Sequence, residues 1–184
     1  MTSDFPRNSQ AGASLIEVLV AILILSFGML ALANMMSFGV QLPKLSGYRA
    51  TATAFGLAQI EQIRANPNGF GGDFYSSALN YDGTTASIAS ADCAYPSCTI
   101  ATLAAMDIAA TQALVRQSLP AGGMIMKCDT PVCTWSSYGN LWIVWQEPST
   151  FAAISPTSSD NCPVEVTSAF TNPSPRCLYL RFKL

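Results

Sequence analysis

From residue 18 to residue 43 the chain carries no charged side chain, and the residue just ahead of that run is a carboxylate, Glu17. As a helix, residues 18–42 are about 38 Å long, enough to cross about 30 Å of hydrocarbon. The run is apolar on every face, so such a helix has to be surrounded by lipid or by other helices. Ser26, Asn34, Ser37 and Gln41 are its few polar interruptions. An acid at the threshold of a membrane-length segment is costly and asks for a role. Three readings compete. The segment can be a plain single-pass anchor. It can be a secretory signal cut after Ala31-Leu32-Ala33, whose small-x-small form suits such a site. Or it can be a signal cut after Gly12, which leaves the whole helix on the mature chain. Only the third accounts for Glu17.

The remaining composition removes several function classes. Of 184 residues 50% are apolar and only 11% are charged, against about 25% in a typical soluble domain. The nine basic residues form no run and the net charge is −2, so a nucleic-acid footprint is absent and no nucleic-acid partner is expected. There is no histidine, which excludes Ser-His-Asp and Cys-His catalysis and every His-containing zinc site. The eleven acids are dispersed without a close pair. No catalytic residue, no metal and no cofactor is therefore assigned. The six cysteines, Cys93, Cys98, Cys128, Cys133, Cys162 and Cys177, all lie beyond the apolar segment, as expected of disulfides in an oxidising compartment.

Residues 46–66 continue as a helix, with Tyr48, Ala52, Phe55, Ile60 and Ile63 on one broad face and Gln59 and Arg49 interrupting it. Gly28 and Pro43 are the expected bends, and Asn66-Pro67-Asn68-Gly69 the stop. Arg64 then reads as a solvated cation favoured by the helix dipole. Residues 67–98, rich in Gly, Ser, Asn and Asp, predict a long surface loop. A second helix is expected over 102–119, with Leu103, Met106, Ala110, Ala113 and Leu114 sharing its face, stopped by Pro120-Ala121-Gly122-Gly123. Strands are expected at 124–128, at 140–147 (continuously apolar, hence central) and along the alternation of Leu178, Leu180, Phe182 and Leu184 with Tyr179, Arg181 and Lys183. The order gives an α+β fold: a long N-terminal α-helix, a transmembrane half followed by an amphipathic half, packed on a C-terminal antiparallel β-sheet.

Gly12-Ala13-Ser14-Leu15-Ile16-Glu17-Val18-Leu19-Val20-Ala21 resembles the class III prepilin signature of type IV pilins and of type II secretion pseudopilins. The resemblance implies the type IV pilin fold and cleavage by prepilin peptidase between Gly12 and Ala13. It also implies N-methylation of Ala13 and a role in subunit assembly for Glu17. Ala13 departs from the Phe common at that position. Ser14 to Gly28, the Ile63-Arg64-Ala65-Asn66 helix end, the Leu119-Pro120-x-Gly122-Gly123 step and the Trp145-Gln146-Glu147 strand resemble PilV-type minor pilins in particular. The division implied is a leader over 1–12, a transmembrane and assembly helix over 13–43, an amphipathic half over 44–66 and a globular head over 67–184. Expected partners are other major and minor pilins, prepilin peptidase, the inner membrane and the pilus assembly machinery. The expected location is a single-pass inner-membrane protein with a periplasmic head, later on a surface pilus. Once the helix is drawn from lipid into a bundle, Glu17 can meet the N-terminal amine of a neighbour. Two opposite charges about 4 Å apart attract by about 4 kcal/mol at an effective dielectric of about 20. The rival is an intrachain pair between the Ala13 amine and Glu17, four residues along one helix face.

Six cysteines allow many pairings; nearest-neighbour bridges Cys93–Cys98, Cys128–Cys133 and Cys162–Cys177 are the expectation. A four-cysteine zinc site built from the two C-x4-C pairs is the alternative. Trp142 and Trp145 are expected in the core and Trp135 at the surface, while Tyr75, Tyr81 and Tyr95 are candidate exposed contacts by position. The function expected is that of a PilV-like minor pilin with no catalysis of its own. A minor pseudopilin and a membrane-anchored extracytoplasmic binding module remain the alternatives.

Overall fold

The computed structural model describes residues 12, 14–76, 81–94, 96–147, 160–171 and 173–184. Its first helix, α1, spans Leu15–Ala65, and the chain divides into two compact units, Met1–Lys44 and Leu45–Leu184.

Over residues 15–44 the first unit is one helix. Its apolar side chains are bare: Leu15 is 78% exposed, Phe27 67% and Met35 74%. Three of its polar side chains bond within the helix. Ser26 donates to the Ile22 carbonyl at 2.7 Å, and Gln41 donates to Ser37 Oγ at 3.2 Å. A helix that bonds Ser26, Ser37 and Gln41 within itself while leaving Leu, Ile and Phe outside is suited to hydrocarbon.

The second unit is an α+β layer structure. After the rest of α1 come α2 (Pro67–Gly71), α3 (Ile100–Ser118), β1 (Gly123–Cys128), β2 (Gly139–Gln146), α4 (Val164–Ala169) and β3 (Pro175–Phe182). The three strands form one antiparallel sheet in the order β1-β2-β3, with Leu141 opposite Met126 and Leu180 and with Ile143 opposite Met124 and Leu178. β2 is central, as its unbroken apolar run predicts, and both its faces are covered. Leu141, Ile143 and Trp145 join Ala52, Ile60 and Ile63 of α1 and Val115 of α3 in the main core. Val144 and the half-buried Trp142 turn the other way, to a smaller core with Tyr81, Val166, Phe170 and Cys177. A strand buried on both faces cannot alternate, which explains the pattern. β3 does alternate. Leu178, Leu180 and Phe182 face α1, and Tyr179 stacks on Trp142 with centroids 5.2 Å apart. Leu184 lies past the strand and is 38% exposed.

α1 lies close on the sheet because Gly56 has no side chain: a methyl there would stand 2.5 Å from Leu180 Cδ1. The predicted stripe of Tyr48, Ala52, Phe55, Ile60 and Ile63 is the packed face. Gln59, expected to interrupt the stripe, is buried within it at 1% exposure. Asn66 ends α1 and caps α2, its side chain accepting from Gly69 N.

Several expectations need correction. The inward face of α3 is Ala104, Ile108, Thr111 and Val115, while Leu103 and Leu114 are 40% and 49% exposed. The helix is so rich in Ala and Leu that spacing alone offers two apolar faces, and packing selected the one with small residues. It begins at Ile100, ahead of Thr102, because Thr99 and Thr102 form a capping box. The 67–98 segment is not loop throughout, since α2 buries Phe70. Tyr75 and Tyr81 are core residues, 1% and 2% exposed, rather than surface contacts. Tyr95 lies outside the described residues. Helix α4 has no counterpart in the sequence reading.

Candidate functional site

The segment singled out by sequence sits at the start of α1. Gly12 is described and exposed, and Ala13 lies outside the described residues. Ser14 opens the helix: its carbonyl accepts from Glu17 N at 2.9 Å and from Val18 N at 3.2 Å. Glu17 is thereby held in the first turn, where the helix macrodipole favours negative charge, and its residue is exposed. Nothing else charged follows until Lys44, so among the described residues of this unit Glu17 is the only carboxylate. One acid, one helix start and one uncovered apolar surface make a segment able to associate side by side with other helices and to offer a single ionic contact there.

All six cysteines lie in the other unit. The structure bonds Cys93 to Cys98, Cys128 to Cys133 and Cys162 to Cys177, with Cα separations of 5.4, 5.4 and 5.2 Å. Sulfurs bonded in this way are not the thiolates a zinc ion needs. Among the described residues no group of three or more acids or cysteines is arranged to hold a metal.

Two buried arginines that the sequence did not single out organise this unit. Arg116, at the end of α3, donates through Nε to the Gly122 carbonyl at 2.6 Å. Through Nη1 it donates to Thr84 Oγ1 and the Ala86 carbonyl, both at 3.0 Å. Its Nη2 pairs with Asp82 at 2.9 Å. Burial raises the Asp82 carboxyl, but bonds from Thr84 and the guanidinium outweigh it and hold the group below its usual value. Arg176 of β3, 1% exposed, pairs through Nε with Asp160 at 2.8 Å and with Glu147 at 3.7 Å. Asp160 also receives Arg49 of α1 at 3.2 Å and Cys177 N at 3.3 Å. Glu147 accepts from the buried Trp145 indole at 3.1 Å. The only trace of these clamps in the sequence is that Arg116 is the one charge between residues 108 and 126 and Arg176 the one charge between residues 166 and 180.

A long helix with an uncovered apolar half of membrane length, a disulfide-bridged α+β unit and one acid in the first turn suit a class of protein anchored by its N-terminal helix. A family model for the prokaryotic N-terminal methylation motif matches residues 7–33, the stretch containing Gly12, Ala13 and Glu17. The match supports a type IV pilin-like protein with a class III prepilin signal over that stretch, and the long apolar N-terminal helix with a C-terminal three-stranded antiparallel sheet is consistent with a type IV pilin fold. No curated protein and no solved structure matches it. The motif implies processing by prepilin peptidase, membrane anchoring and assembly with pilus machinery, and it points to a structural protein rather than an enzyme.

Proposed function

We propose that this chain is a minor type IV pilin of the PilV kind, held by a single span in the inner membrane with its head in the periplasm until it enters a pilus. The observation that carries this reading is the coincidence of the methylation motif with a helix whose N-terminal half is apolar, uncovered and carries one acid, in the first turn. Prepilin peptidase cuts between Gly12 and Ala13, and the new amine of Ala13 is methylated. The Glu17 carboxylate then pairs with the Ala13 amine of a neighbouring subunit, fixing register as one buried polar residue does in a coiled coil. In assembly the protein acts in pilus initiation and adhesion, next to other major and minor pilins.

Mass spectrometry of the mature protein tests the processing: a start at methylated Ala13 is expected, whereas a start at Met1 or Asn34 overturns it. Glu17→Val is expected to accumulate in the membrane at normal level but to enter pili poorly, and normal incorporation refutes the pairing role. Deleting the gene and counting surface pili separates initiation (pili lost) from adhesion (pili kept, binding altered).

A further inference from the structure

β3 stands at one edge of the sheet, and part of that edge is open. Asp129 N donates to the Tyr138 carbonyl at 3.1 Å, so these two residues form a hydrogen-bonded pair, and every second pair behind them does the same. Carried through the register, the alternation turns the backbone groups of Arg176, Leu178 and Leu180 toward β2 and those of Cys177, Tyr179 and Arg181 outward. Cys177 agrees with this, since its N–H donates to Asp160 Oδ2 at 3.3 Å, away from β2. That bond and the Cys162–Cys177 bridge cover the start of β3. Further along, no described residue bonds to the outward N–H or carbonyl of Tyr179 or Arg181. The side-chain layers are unfinished at the same place. Leu141 and Ile143 of β2 are 0% exposed, whereas Leu178, Tyr179 and Leu180 beside them are only half-buried. The opposite edge differs: Met124 and Met126 of β1 are 1% and 2% exposed, so their layer is closed. Charged side chains standing over an edge strand are the usual guard against pairing. Here the two cations lean the other way. The Arg181 guanidinium lies 4.3 Å and the Lys183 ammonium 5.1 Å from the centroid of the Tyr138 ring, which adjoins β2. Their charge is poorly balanced. Asp129 reaches Arg181 at 3.8 Å, Lys183 has no acid partner among the described residues, and residues 166–184 contain no acid.

We propose that the open part of β3, from Tyr179 to Lys183, is a docking edge for an extended segment of a partner protein in which acidic residues alternate with apolar ones. Such a segment adds to the sheet as a further strand. Its backbone takes up the outward groups of Tyr179 and Arg181, and its alternation supplies the selectivity. On the face turned to α1 its apolar side chains cover Leu178 and Leu180. On the other face its acids stand across from Arg181 and Lys183, and opposite charges on neighbouring strands attract. A second copy of β3 suits the edge less well, because it brings the same two cations to the shared seam. The edge is preformed within a disulfide-bridged sheet, so little ordering of this chain opposes binding. Nothing in the assignment depends on cleavage or on Glu17, so it stands or falls separately from the pilin reading.

The test uses full-length protein in detergent and a short, end-blocked, dye-labelled peptide that alternates valine with glutamate, followed by fluorescence anisotropy. Saturable binding is expected, with a valine–lysine counterpart about tenfold weaker or more. Two variants separate charge from backbone. Arg181→Ala removes the cation and should weaken binding a few-fold, as for an exposed ion pair. Arg181→Pro also removes the outward N–H, which no strand bond uses, so proline is tolerated there as on other edges. It should weaken binding about fivefold further, the effect of one lost hydrogen bond. Circular dichroism matching the parent checks that both variants are folded. Only one edge of an added strand is bonded, so N-methylating the peptide at its glutamates or at its valines should abolish binding in one case and spare it in the other. No saturable binding of the glutamate peptide, equal binding of its lysine counterpart, equal binding by the alanine and proline variants, or equal binding of the two methylated peptides overturns the proposal. So does self-association of the protein that Arg181→Pro abolishes while the peptide stays unbound.

Discussion

Replacing Arg176 by methionine takes the cation out of a cluster in which Asp160 and Glu147 expose only 3% and 5% of their side chains. Methionine fills similar volume, so the loss is electrostatic rather than a cavity. Removing one partner of a buried ion pair costs about 3–5 kcal/mol, because the remaining charge is left in low dielectric. Two contacts lessen this. Arg49 still reaches Asp160 at 3.2 Å, but its side chain is 45% exposed, and such a pair contributes about 0–1 kcal/mol. The Trp145 indole still donates to Glu147. The lower half of the range, about 3 kcal/mol, is therefore expected. For a unit of this size that is a fall in Tm of roughly 10 °C. The assay is thermal unfolding of the full-length protein in detergent with disulfides intact, followed by circular dichroism. A second variant carrying Arg176→Met, Glu147→Gln and Asp160→Asn together should regain most of the loss, since it leaves no uncompensated charge. A fall in Tm under about 3 °C for the single variant, or no recovery in the triple, refutes the account of Arg176 as the clamp.

Gln59→Leu should stabilise the protein by about 1–2 kcal/mol, seen as a higher urea midpoint, because both polar atoms of the buried Gln59 amide lack a hydrogen-bond partner among the described residues. Alkaline unfolding should involve Tyr81, whose hydroxyl burial pushes up to about 12; the Gln146 amide opposes the shift without completing a hydrogen bond. The sign follows from linkage: the unfolded phenol loses its proton near pH 10 and the folded one later, so stability present below pH 10 falls by up to about 1.4 kcal/mol per pH unit between about pH 10 and 12. Tyr81→Phe should flatten that fall in a pH-dependent melting series and change little at pH 7. Cys162→Ser with Cys177→Ser should lower stability by about 3 kcal/mol and the Cys128, Cys133 pair by about 2, measured by denaturant titration, since the loops closed differ in length.

Sequence alone determined what depends on runs and periods. An uncharged stretch of membrane length with one leading acid leaves few solutions, because neither lipid nor a helix bundle tolerates a second charge without a reason. The packed face of α1, the central place of β2 and the alternation of β3 were legible for the same cause: burial imprints a period of 3.6 or 2 on apolar residues. Tertiary structure decided what depends on distance through space. Apolar spacing could not tell which face of α3 turns inward, because Ala and Leu satisfy both. It could not bury Tyr75 and Tyr81, because their cover comes from α3 and α4, far along the chain. It gave no sign that Arg116 and Arg176 would each find their acceptors in distant segments. Those choices rest on shape and charge meeting across the fold, and a one-dimensional pattern carries no record of which residues will meet.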